Sequence, residues 1–66
     1  MDNQLLQEIA SDIRENKTRI ENAKYLIELL RDTGSDTREQ ELMLKDLQKK
    51  QEKWEVALRQ RGISIG

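Results

Sequence analysis

Midway along the chain stands Leu29-Leu30-Arg31-Asp32-Thr33-Gly34-Ser35-Asp36-Thr37-Arg38-Glu39. Gly34 suits the residue just past a helix end, where a left-handed backbone is needed and glycine carries no steric penalty. Asp36 follows as an N-cap, with Glu39 three residues on as its capping-box partner. A helix stop and a helix start lie back to back. This predicts a turn over 33–36 between two helices rather than a kink in one long helix.

The sequence on either side agrees. Upstream, Leu6, Ile9, Ile13, Asn16, Ile20, Ala23, Ile27 and Leu30 recur at alternating intervals of three and four, the seam of a coiled coil with one polar entry. Helix 1 is expected over about 3–32, capped by Asp2 or Asn3. Downstream, Gln40, Leu44, Leu47, Gln51, Trp54, Leu58 and Arg61 form a weaker seam, and helix 2 is expected over about 37–61. Gly62 again suits a helix end, with Ile63 closing back onto Leu58 and a short tail over 62–66 lying near Leu5, Leu6 or Ile9. Four acid-before-base pairs at i,i+4 support the helices: Glu15–Arg19, Glu41–Lys45, Asp46–Lys50 and Glu55–Arg59.

Folding about Gly34–Ser35 sets Leu47 opposite Ala23 and brings Trp54 and Leu58 near Ile13 and Ile9. Asn16 and Gln51 fall in neighbouring layers as a register-setting polar pair. The predicted fold is all-α: one domain over 1–66, a two-helix antiparallel coiled-coil hairpin, dimerising into a four-helix bundle.

Composition narrows the function. Of the 66 residues, 35% are hydrophobic and 38% charged, so two helices alone bury little apolar surface and a second copy is the natural supplement. Cysteine and histidine are absent, which excludes disulfides, most zinc sites and Cys/His catalysis. Glu8 with Asp12, and Glu28 with Asp32, have i,i+4 spacing but no histidine beside them, so they read as solvated acids. There is no glycine-rich phosphate loop and no nucleophile elbow. The expectation is a non-enzymatic chain with no catalytic residue, metal, cofactor or small-molecule substrate.

Residues 1–36 carry eight acids and five bases, a balance of −3, and residues 37–66 carry five acids and seven bases, a balance of +2. Opposite balances favour pairing of the helices and do not make a nucleic-acid footprint. The strip Lys45, Lys49, Lys50 and Lys53 is interleaved with Asp46, Glu52 and Glu55, as on a solvated helix face. No apolar run is long enough to span a bilayer and no signal pattern opens the chain, so a soluble, cytoplasmic protein without membrane insertion is expected.

Apolar residues remain after the seams are filled. Tyr25, Leu26 and Leu29 on helix 1, and Leu42 and Met43 on helix 2, lie outside the seams near the turn. They are candidates for a second apolar face, serving either a homotypic interface or a groove for another protein. Trp54 reads as a seam residue or as an interface anchor.

A helix ending at Leu29-Leu30, a short polar turn through Gly34 and a second helix opening with acids resemble two kinds of module. These are the antiparallel coiled-coil hairpins of Rho effectors and the short Rab-binding hairpins of endosomal tethers. The resemblance implies a small GTPase docked against both helices. The residues themselves point first to an oligomerisation or scaffolding module working by coiled-coil packing, with a recognition hairpin for a folded partner as the alternative.

Overall fold

The computed structural model describes residues 3–63. Two helices, α1 (Asn3–Asp32) and α2 (Arg38–Gln60), pack side by side as a helical hairpin measuring 50 × 18 × 15 Å. There is no strand among the described residues.

α1 stops by the mechanism its sequence suggests. Gly34 takes φ +73°. Its N–H donates to the Arg31 carbonyl at 3.0 Å, and the Ser35 N–H donates to the Leu30 carbonyl at 2.8 Å. These are the two bonds of a Schellman closure, and they satisfy carbonyls that the helix end would otherwise leave open. Thr33 adds a bond from its hydroxyl to the Leu30 carbonyl. The same device ends α2. Gly62 has φ +71°, its N–H reaches the Arg59 carbonyl at 3.0 Å, and the Ile63 N–H reaches the Leu58 carbonyl at 2.9 Å. Leu58 is buried and Ile63 half-buried, as the apolar contact of this motif requires. Residues 64–66, the rest of the expected tail, lie outside the described part of the chain.

The start of α2 differs from the expected capping box. Thr37, not Asp36, supplies the first helical carbonyl, to the Glu41 N–H at 2.9 Å, and no side chain caps it. Asp36 acts from one residue upstream: its Oδ1 accepts the Arg38 backbone N–H at 3.0 Å, and both its oxygens accept from the Arg38 guanidinium. Glu39 takes no part. The guanidinium is a charged donor two residues away, and it holds the carboxylate where a neutral cap would not. The Arg38 side chain, followed by its backbone N–H, keeps the Asp36 carboxyl below its ordinary 3.8.

Between the helices, Ile13, Ile20, Ile27 and Leu58 are buried, and Leu6, Ile9, Ala23, Leu30, Leu44 and Leu47 are half-buried. Asn16 and Gln51 are each 8% exposed and meet across the seam. The Asn16 amide donates to Gln51 Oε1 at 3.0 Å and to the Leu47 carbonyl at 3.2 Å. The direct bond is what a buried amide demands, since an unpaired one costs about 1–3 kcal/mol. Of the four expected i,i+4 pairs only Glu15–Arg19 forms, at 3.3 Å. Glu55 turns across to Lys17 at 3.8 Å and Glu41 turns across to Arg31, because these positions border the seam and face the other helix.

A side chain at Gly34 would meet open space, so only the backbone resists substitution there. Gly34→Val should therefore cost about 1–2 kcal/mol in urea unfolding, and Gly34→Asn clearly less. Equal stability of both variants with the parent would show that the turn does not need a left-handed residue.

Because Asp36 has a folded-state pKa below its unfolded one, its contribution is complete above pH 3.8 and disappears as pH falls through the folded value. Asp36→Asn should be less stable than the parent at pH 6, with the gap closing below pH about 3.8 in paired denaturation curves.

Candidate protein-interaction surface

The side chains bordering the seam divide the hairpin into two unlike flanks. If the seam positions are lettered a and d, a hairpin brings e positions to face e positions and g positions to face g positions. Lys17, Lys24 and Arg31 of α1 stand at e, as do Glu41, Gln48 and Glu55 of α2. This flank is polar and carries the two interhelical ion pairs among the described residues, Lys17–Glu55 and Arg31–Glu41. Such exposed pairs are each worth about 0.2–1 kcal/mol, but they need water around them and do not invite a partner.

The g flank has the opposite character near the turn. Leu26 and Met43 stand there, 46% and 59% exposed, and line one groove with Ala23 and Leu47 beneath them. That groove has a volume of about 370 Å³, and its walls are mostly apolar. Leu29, one helical turn from Leu26, is exposed on the same side. Farther from the turn a second groove of about 370 Å³ opens over Ile9, Ile13 and Trp54, bordered by Asp12, Glu15, Arg19 and Lys50. Arg19 borders both, so the two grooves lie one after the other along the flank.

The candidate residues therefore separate. Leu26, Leu29 and Met43 come together. Trp54 joins the same flank farther along: it occupies a seam position yet stays 41% exposed, because an indole is too wide for the seam opposite Ile9 and Ile13. Tyr25 and Leu42 do not join them. Both stand at the f position, on the outer backs of their helices, and both are exposed. Asn16 and Gln51 lie at the base of the second groove with their amides paired, and Gln51 Nε2 also donates to Glu55 at 3.1 Å. No buried side-chain polar atom among the described residues lacks a partner.

The lysine strip divides as well. Lys50 borders the second groove on the g flank, while Lys49 and Lys53 border a shallow depression on α2 itself. The sequence placed Leu5 only near the tail, but it stands at the g position with Leu26 and is 54% exposed. Asp12, Arg19 and Lys50, taken as solvated or helix-supporting charges, border this flank together. The signal for both was there, in the letters of the heptad next to the seam.

Among the described residues, no helix is long and apolar enough to cross a membrane, and no cluster of His, Cys, Asp or Glu is placed to hold a metal ion. No protein-family model, curated protein or solved structure matches the chain.

The Asn16–Gln51 pair makes a sharp test of the seam. Asn16→Leu and Gln51→Leu should each cost about 1–3 kcal/mol, by stranding the remaining amide. The double variant should recover much of that loss, giving a coupling energy of about 1 kcal/mol or more in a double-mutant cycle. Additive losses would show that the amides act independently.

Proposed function

We propose that this chain is a non-enzymatic oligomerisation module: an antiparallel coiled-coil hairpin that pairs with a second copy as a four-helix bundle and so serves a scaffolding role. One observation carries the reading. The flank with Lys17–Glu55 and Arg31–Glu41 is finished with ion pairs, whereas the flank with Leu26, Leu29, Met43 and Trp54 leaves large apolar side chains in water.

The energetics support this choice. Among the described residues of one hairpin only four large apolar side chains are buried, and none is sealed completely from solvent. Covering a large apolar side chain contributes about 1.5–3 kcal/mol when it starts fully exposed, and proportionately less from half exposure. Three or four such residues per copy, doubled by symmetry, make a useful addition for a chain of this size. In this reading Asn16 and Gln51 set the register of each hairpin, and the exposed flank supplies the association.

A second reading follows from Tyr25 and Leu42. Both lie outside any contact made by the g flank and remain exposed on the outer backs. A recognition hairpin would use such residues to hold a folded partner, a small GTPase being the kind that the resemblance implies.

Light scattering across a wide concentration range tests the first reading, with a mass near twice the 7.8 kDa of one chain expected. Leu26→Asp combined with Met43→Asp should dissociate the pair. Tyr25→Asp combined with Leu42→Asp should leave the mass unchanged. A monomer at every concentration, with a melt independent of concentration, would sink the dimer reading and favour the second.

A further inference from the structure

The apolar flank also carries charge, and the charges discriminate between the two ways in which a pair of hairpins can close symmetrically. Resting on the dimer reading above, we infer that the two hairpins associate through this flank with both turns at the same end, so that α1 of each copy lies over α2 of the other.

A twofold axis can lie in the interface in two principal directions. When it runs along the helices, α1 faces the partner's α2 and the turns coincide. When it runs across them, α1 faces the partner's α1, α2 faces the partner's α2, and the turns lie at opposite ends. Away from the turn, the flank of α1 is acidic, with Glu8, Asp12 and Glu15 at successive g and c positions. The matching part of α2 is basic, with Lys50 at g and Lys53 at c. Asp12, Glu15 and Lys50 border the second groove directly.

The crosswise arrangement lays the acids of α1 and the lysines of α2 against the apolar, turn-end half of the partner, where they do not meet each other. It also places Leu26 and Met43 opposite the charged half of the partner. The lengthwise arrangement does the reverse. Asp12 and Glu15 meet the partner's Lys50 and the partner's Lys53, twice over by symmetry, and Leu26, Leu29 and Met43 of both copies close on one another. Arg19, at the midpoint, is already paired with Glu15 of its own helix. Charges laid against apolar side chains lose water without gaining a partner, while opposite charges select orientation, so the lengthwise axis wins on both halves of the flank.

The chain has no cysteine, so Ser35→Cys gives one labelling site at the turn. Ser35 is exposed, and it is its backbone N–H that closes the helix end. Nitroxide labels at this site, measured by pulsed electron–electron resonance on the full chain, should lie roughly 20–30 Å apart, the width of a bundle whose neighbouring helices are about 10 Å apart. A separation near the 50 Å length of the hairpin would overturn the lengthwise arrangement and leave the dimer reading standing. A monomeric mass would overturn both.

Charge exchange gives a second test without labels. Asp12→Lys with Glu15→Lys should weaken association on the order of tenfold, and adding Lys50→Glu with Lys53→Glu should restore it. In the crosswise arrangement the exchanged residues of the two copies do not meet across the interface, so failure to restore the dissociation constant counts against the inference.

Discussion

Whether the two seams of this hairpin meet correctly depends on the left-handed backbone at Gly34. The Schellman closure ends α1 at Asp32, and the segment from Thr33 to Thr37 starts α2 in a set rotational phase. An α-helix advances about 100° per residue, so one residue more or less in the connection would turn the α2 stripe away from α1. With the phase as it is, Ile20 and Ile27 are buried, Leu44 and Leu47 are half-buried, and Asn16 reaches Gln51 across the seam.

That phase also determines what each flank displays. Lys17 and Arg31 fall beside Glu55 and Glu41 on one side, and Leu26 falls beside Met43 on the other. Neither grouping exists in a single helix. A hairpin has only one seam, and this chain has more apolar side chains than one seam holds, so the surplus must lie on a flank or on the backs. Its concentration at one flank near the turn links the geometry to the proposed role in self-association.

The polar layer at Asn16 and Gln51 plays a different part. Leucines at both positions would pack as well or better, but would also tolerate a shifted register. A paired amide does not, because any slip strands both partners in the seam. The layer thus exchanges some stability for one alignment, and that alignment keeps the g flank continuous from Leu26 to Trp54. At the closed end, the Arg31–Glu41 pair binds the last turn of α1 to the first turn of α2 and shields the seam beside the connection.

Much of this was legible in the sequence. The all-helical character, the pairing of two helices, and the use of Gly34 and Gly62 to end them follow from local chemistry: spacing of apolar residues and the conformational freedom of glycine. The buried places of Ile13, Ile20, Ile27 and Leu58 follow from the same period. Other features required the helices to be brought together. The Asp36 carboxylate was drawn to the Arg38 side chain instead of joining Glu39 in a capping box, because a charged donor outcompeted a neutral one. Glu41 and Glu55 left their own helices for Arg31 and Lys17, since a seam-bordering carboxylate lies as near the facing helix as the next turn of its own. Leu26 and Met43 came to share a groove while Tyr25 and Leu42 remained apart on the backs. The sequence by itself determined what each helix buries, because that depends on period within one segment. Only the tertiary structure decided which surplus side chains share a surface, because that depends on the phase between two segments, and the phase is set by the connection at Gly34.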